Sequence, residues 1–262
     1  MLPETLALIA LGGFVIGILI GMTGVGGGSL TTPMLISGFG IAPALAVGTD
    51  LLFAAITKLS AAWRHHAHSN VDWPILGYMA FGSLSSSLAT LAWFRIAGPD
   101  MALLSSVITT MLAGALVISA VAISVVPWWL RRRGGETTLS VAARPVPTVL
   151  YGALVGALVT VTSVGAGAVG VAVLTLLYPQ LVARRIVGTD IVHAIPLALV
   201  SGLGHLSMGH VEVALLASLL AGSIPGIMLG SRAVTWLPEQ YLRGLLSLVL
   251  IYAACVVHWH TH

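Results

Sequence analysis

At 262 residues the chain has length for one or two soluble domains, but 58% of its residues are hydrophobic and 7% charged, where a globular domain carries roughly 25% charged residues. No charge-rich stretch is long enough for a soluble domain, the net charge of +3 is small and dispersed, and no basic run interleaved with aromatics marks nucleic-acid binding. The single cysteine, Cys255, excludes an intrachain disulfide and a cysteine metal cluster. The composition is that of an all-α integral membrane protein.

A bilayer core needs roughly 20 apolar helical residues per crossing. In chain order, clear spans are predicted over 5–22, 74–94, 101–127, 147–162, 212–230 and 240–257. The opening Met1-Leu2-Pro3-Glu4 lacks the positive region of a cleavable leader, so the first span is expected to be retained. Two regions, 28–62 and 168–204, are each interrupted near the middle, by Gly38-Phe39-Gly40 with Pro43 and by Tyr178-Pro179. Each reads either as one long broken span or as a hairpin of short helices that enters and leaves the same side.

The chain repeats itself. MTGVGGGSL (Met22 to Leu30), Gly48-Thr49-Asp50, His65 and Asn70-Val71-Asp72 recur as VTSVGAGAV (Val161 to Val169), Gly188-Thr189-Asp190, His205 and His210-Val211-Glu212. The offset is 139 residues at the glycine break and 140 from the Gly-Thr-Asp element onward. This divides the chain into a first repeat, 1–127, a cytoplasmic linker, 128–146, and a second repeat, 147–262. If both ambiguous regions are hairpins, each repeat crosses three times and the second is inverted. With the N-terminus outside, Lys58, Arg64, Arg131, Arg132, Arg133, Arg144, Arg232 and Arg243 then fall inside, satisfying the excess of positive charge in cytoplasmic loops. One broken span per region places only Lys58, Arg64, Arg131 to Arg133 and Arg144 inside. The inverted arrangement is preferred, with Arg184 and Arg185 left awkwardly at a hairpin tip or on the outer face.

Broken helices in inverted repeats mark the substrate site of many secondary transporters. A glycine-rich interruption leaves backbone N–H groups without intrahelical partners, and within the bilayer these need protein, water or ligand. Helix starts near Gly27 to Leu30 and Ala166 to Val169 are therefore expected to face each other and to hold an anion. Thr23, Ser29, Thr162 and Ser163 offer hydroxyls beside Gly26, Gly27, Gly28, Gly165 and Gly167. The structural alternative is close helix packing through small residues. Asp50 and Asp190 lie in apolar surroundings, where a charge costs roughly 2.5 to 3.5 kcal/mol on lenient scales. Thr49 and Thr189 are candidate ligands, and Thr49 with Asp50 is also placed to cap a following short helix. Lys58 faces Ala198 across the alignment of the copies, and His193 faces Phe53. Lys58 is a candidate cationic contact, or a side chain snorkelling to the surface; His193 is a candidate switch near neutral pH, grouped with Asp50 and Asp190 as a polar or proton-coupling network. His65 and His205 are expected in loops, closed by hydrogen bonds to Asp72 and Glu212. The terminal His258, His260 and His262 alternation is a frayed tail or, less simply, a divalent-cation site; no metal or other cofactor is called for. Walker, nucleophile-elbow and HExxH signatures are absent, so the chain does not read as an enzyme.

The glycine-rich opening Gly21 to Gly28, AVGTDLLFAAITK (Ala46 to Lys58), the run from His65 to Trp73 and the second Gly-Thr-Asp together resemble the TauE/SafE sulfite exporter family, also called TSUP. The resemblance spans essentially the whole chain. It implies a multi-pass transporter of the prokaryotic inner membrane that exports sulfite, sulfoacetate or a related organosulfur anion. The chain departs from the family's pattern at Asp50, where many members have Ser or Ala, and at Ile56-Thr57-Lys58, in place of a Pro-Thr-Ser run; Pro196 remains in the second half. An added carboxylate repels an anion unless protonated or paired, so Asp50 is expected to couple protons or to neutralise Lys58. The expected partners are a small anion, protons and the lipid bilayer, with room for a homo-oligomer. Two alternatives stay open: a passive anion channel, and a non-transporting scaffold or metal-delivery component.

Overall fold

The computed structural model describes residues 3–23, 27–67, 69–98, 100–132, 142–233 and 239–259. These form ten α-helices: α1 (Pro3–Thr23), α2 (Gly28–Pro33), α3 (Pro43–Ala67), α4 (Trp73–Ala97), α5 (Met101–Arg132), α6 (Pro145–Thr162), α7 (Ala168–Leu177), α8 (Ala183–Ser207), α9 (Val213–Ala233) and α10 (Glu239–Trp259). A π-helical turn, Met34–Gly38, extends α2. Among the described residues there is no β-strand, and seven helices are long and apolar enough to cross a membrane. This is an all-α, multi-pass membrane protein.

The six clear spans appear as the helices α1, α4, α5, α6, α9 and α10; the first five are long and apolar enough to cross, while α10 carries a shorter apolar stretch, Gly244–Val257, among the described residues. Each ambiguous region is a short helix followed by a 25-residue helix, α3 or α8. The expectation of short arms or a single broken span is corrected here: one arm of each region is itself long enough to cross. These two helices carry Asp50, Lys58 and Asp190 because they are sheltered from lipid. Their spanning windows are 59% and 61% buried, against 22% for α1.

Close approach at glycines fixes the helix directions. A methyl built on Gly13, Gly17 or Gly21 would strike the backbone at Leu219, Ser223 or Ile227, in rising order, so α1 and α9 run the same way. Gly152 and Gly156 meet Met79 and Ser83, so α6 and α4 do too. In contrast, Gly48 lies against His205, Leu52 against Gly202, and His65 against Gly188; α3 and α8 are antiparallel. Small residues at spacings of four let such backbones touch, which replaces the hydrophobic drive that lipid removes. The pair α2 and α3 is antiparallel as well, since Thr32 bonds Asp50 while Leu35 shares a cluster with Ala46.

These directions gather positive charge. The end of α3, the starts of α4 and α6 and the start of α8 share one face, because Arg185 Nη2 donates to the Val71 carbonyl at 3.2 Å and the Arg144 amide donates to Tyr178 Oη at 2.9 Å. Following the short links, Arg64, Arg131, Arg132, Arg144, Arg184, Arg185, Arg232 and Arg243 all lie toward that face. Among the described arginines only Arg95, late in α4, lies toward the other. The awkward position expected for Arg184 and Arg185 is thereby corrected: the tip between α7 and α8 reaches the arginine-rich face. Arg133, most of the linker and the histidines His260 and His262 lie outside the described residues.

Candidate functional site

The two breaks meet. A methyl on Gly28, the first residue of α2, would collide with the Ser163 carbonyl and lie 3.2 Å from its Oγ. Ser163 is the left-handed C-cap of α6 at φ 60°, and Gly165 and Gly167 follow at φ 131° and 133°, values an L side chain rarely adopts. Gly27 is closed in by Phe53, Ile20 and Thr31, and Ser29 is buried beside it.

Charged side chains from α3 and α8 converge on this junction. Asp50 Oδ2 accepts from Thr32 Oγ1 at 2.6 Å, and the carboxylate also faces Ser163 and Thr31. Lys58 Nζ donates to the Ala166 carbonyl, within the second break, at 3.4 Å and stands within electrostatic reach of Asp190 and Asp50. Lys58 is therefore turned inward, not to the surface. Asp190 faces the Gly167 amide, yet neither of its oxygens completes a hydrogen bond of ordinary geometry. A methyl on Gly170 would run into that carboxylate, so only glycine leaves it room. Tyr151 of α6 lies within reach of Asp190's charge.

Buried polar atoms are nearly always paired, and here the exceptions collect. Thr31 Oγ1, Asp50 Oδ1, Ser163 Oγ, both Asp190 oxygens, His193 Nδ1 and Tyr151 Oη are buried without a hydrogen-bond partner. The Thr31, Ser163 and Tyr151 hydroxyls are free to donate to acceptor oxygens, and the carboxylate oxygens to accept a proton or a water hydrogen bond. No group of three His, Cys, Asp or Glu side chains among the described residues is placed to hold a metal.

Other sequence candidates are turned elsewhere. Thr23 Oγ1 donates to its own helix at Leu19, and Thr162 closes the end of α6 by bonding Leu158 and Val164. Gly26 lies outside the described residues. Asp50 and Thr49 sit inside α3 and cap no helix; the capping expectation is corrected because α3 begins seven residues earlier, at Pro43. Thr49 Oγ1 instead accepts the Glu212 amide at 3.2 Å, and Thr189 Oγ1 accepts the Asp72 amide at 2.8 Å. Gly48 and Gly188 lie against the His210 and Asn70 carbonyls of the same loops. Each Gly-Thr pair thus braces the loop that leads into the other half's next helix.

His193 is fully buried and pairs through Nε2 with Ser83 Oγ of α4 at 2.8 Å. His205 is also buried within α8, not in a loop. Its Nε2 meets the Thr160 carbonyl at 2.9 Å and its Nδ1 meets His210 Nδ1 at 3.3 Å, so the expected bond to Glu212 is replaced by one to α6. Likewise His65 lies within α3. Burial holds the His210 imidazole below the usual histidine range.

Sequence reasoning missed Thr31, Thr32 and Tyr151. The signal was present in the offset of 139, which aligns Thr31 and Thr32 with Gly170 and Val171, and Tyr151 with Gly12: a polar residue in one copy opposite a small or apolar one in the other.

A family model described as Sulfite exporter TauE/SafE matches residues 9–257. The chain belongs to the sulfite exporter TauE/SafE family. Two Bacillus subtilis (strain 168) proteins are similar to this TauE/SafE chain. Probable membrane transporter protein YjnA is 32% identical over 246 residues, covering 93% of this chain and 96% of the relative. Probable membrane transporter protein YdhB is 28% identical over 237 residues, covering 90% and 93%. No solved structure matches the chain.

Proposed function

We propose that this chain is a secondary transporter that exports a small sulfur-containing oxyanion, sulfite, sulfoacetate or a related organosulfur anion, across the prokaryotic inner membrane, with its movement coupled to protons. The observation that carries the reading is the inward reach of Lys58 to Ala166, at the junction where Gly28 of one break meets Ser163 of the other. The oxyanion binds at Lys58, with Thr31, Ser163 and the backbone of Gly27, Gly28, Gly165 and Gly167 around it. Thr49 and Thr189 serve as braces for the moving loops. Since the anion and ionised Asp190 compete for one ammonium, anion binding favours a protonated Asp190, and anion release favours its ionisation. Protonation of Asp190 and occupancy by the anion are then linked.

The repeats, 1–127 and 147–262 joined by the linker 128–146, are inverted copies in this reading. The antiparallel packing of the equivalent helices α3 and α8 supports it. The arginine-rich face is cytoplasmic by the excess of Lys and Arg on that side, and the two halves rock about the shared site to expose it alternately.

The test is flux through purified protein in liposomes. Sulfite or sulfoacetate should accumulate against its own gradient when a pH gradient is imposed, and Lys58→Met should abolish this. Equilibration without accumulation would make the protein a passive channel; no movement of sulfite, sulfoacetate or thiosulfate would remove the substrate assignment.

A further inference from the structure

Between α4, α6 and α8 runs a series of buried hydroxyl and imidazole groups that the oxyanion site does not use. His193 pairs with Ser83 at 2.8 Å. One turn further along α4, Ser87 Oγ lies 2.8 Å from Ser201 Oγ, and Thr160 Oγ1 contacts both at 2.9 Å. Beyond this triangle His205 Nε2 meets the Thr160 carbonyl, and His205 Nδ1 meets His210 Nδ1. His210 is half-buried in the loop between α8 and α9, on the face away from the arginines. From Asp190 to His205 the series follows α8 for 15 residues, about 22 Å of rise, against a hydrocarbon core of about 30 Å.

Hydroxyls in membrane helices often serve only to hold helices together. The other half of the molecule shows that this packing does not need them. In register, Thr160 against Ser87 corresponds to Gly21 against Ile227, Ser201 to Ala61, and His193 to Phe53. Gly13, Gly17 and Gly21 pack on α9 at the positions equivalent to the α6 contacts on α4. Ser223, the counterpart of Ser83, is buried with no hydrogen-bond partner. The polar series is thus an addition to a contact that the fold makes without it.

We propose that Ser83, Ser87, Thr160 and Ser201, with His193 and His205, form a proton path linking the Asp190–Lys58 centre to the face that bears His210. Each hydroxyl both donates and accepts, so it takes a proton on one side as it releases one on the other. The His205 Nε2–H is held by the Thr160 carbonyl, leaving Nδ1 to accept from the Nδ1–H of His210. The path needs a bridging water at each of three gaps: Asp190 to His193 Nδ1, where neither side has a hydrogen-bond partner, Ser83 to Ser87, and Thr160 Oγ1 to His205. The groups facing its inner end are Lys58, Asp190 and Tyr151; at its outer end His205 meets Phe94 and His210.

This rests on the proton-coupled reading above, and the experiment separates the two. Full-length protein in liposomes holding a pH dye is given sulfite, with protein-free vesicles as baseline, and proton movement is compared with exchange of labelled for unlabelled sulfite, which needs no net proton transfer. Thr160→Val should lower sulfite-driven proton movement at least tenfold while exchange stays within about twofold of wild type, and Thr160→Ser should restore it; Ser201→Ala should repeat the Val result. Proton movement unchanged in both Thr160→Val and Ser201→Ala would overturn the path alone. A parallel fall in exchange, unrescued by Thr160→Ser, would make the series structural and also overturn it. Wild-type exchange without proton movement would overturn the path and the proton-coupled reading together.

Discussion

The two halves of this protein solve the same packing problem with different chemistry. Where α1 meets α9, three glycines lie against a backbone; where α6 meets α4, two of those glycines persist as Gly152 and Gly156, and the third position is Thr160, bonded to Ser87. The carboxylates differ in the same manner. Asp50 has a neighbour's hydroxyl, Thr32, whereas the aligned residue beside Asp190 is Val171, and Gly170 clears a space in which the second carboxylate faces Lys58. Duplication supplies the scaffold, and the unequal residues supply a polarity that a symmetric pair would lack. In the proposed function that polarity suits a site that binds one small anion and couples its movement to protons.

The comparison breaks most sharply at Lys58. Lys58 stands within electrostatic reach of the buried carboxylates Asp190 and Asp50, and a buried carboxylate left without a counter-charge is costly, so Lys58→Met is expected to lower thermal stability and to abolish flux. Adding Asp190→Asn should recover most of the stability and none of the flux, whereas adding Asp50→Asn should recover less, because Asp50 keeps Thr32. Thermal unfolding in detergent alongside flux checks this. Next come the packing glycines. Gly17→Val and Gly156→Val each press a side chain into a facing backbone, and overpacking of this kind costs about 1–3 kcal/mol; both should reduce stability to a similar degree, since this contact is common to the halves.

The braces should also behave alike in the two halves. Thr49→Val and Thr189→Val each leave a loop amide without its acceptor, at about 1–3 kcal/mol, and sulfite affinity should stay within about twofold of wild type. The smallest effects sharpen the contrast again. Ser83→Ala removes the partner of His193 and should cost about 1 kcal/mol, while Ser223→Ala, at the equivalent position with no partner to lose, should be close to neutral in the same unfolding measurement.

Six spans were readable because their apolar runs are long and carry few charged residues. The helices α3 and α8 were not, since residues surrounded by protein need not be apolar: Asp50, Lys58 and Asp190 lower the hydrophobic signal where burial is deepest. The glycine breaks and the acidic residues could be found from their duplication. Thr32 and Tyr151 could be found only by asking where duplication fails, and the bracing role of Thr49 and Thr189 depends on loops more than a hundred residues away, which no local pattern specifies. Arg184 and Arg185 looked awkward because sequence does not show how far the hairpin tip reaches; Tyr178 and Arg185 bind at the arginine-rich face.

The central claim is that Lys58, between the meeting breaks, holds the oxyanion. Calorimetric titration of sulfite into detergent-purified protein, wild type against Lys58→Met/Asp190→Asn, tests it most directly. The double variant removes the ammonium without stranding a carboxylate, so a folded protein can be compared. Loss of measurable binding, with unfolding temperature near that of wild type, is the predicted result. Affinity equal to wild type would contradict the account and move the anion away from the junction.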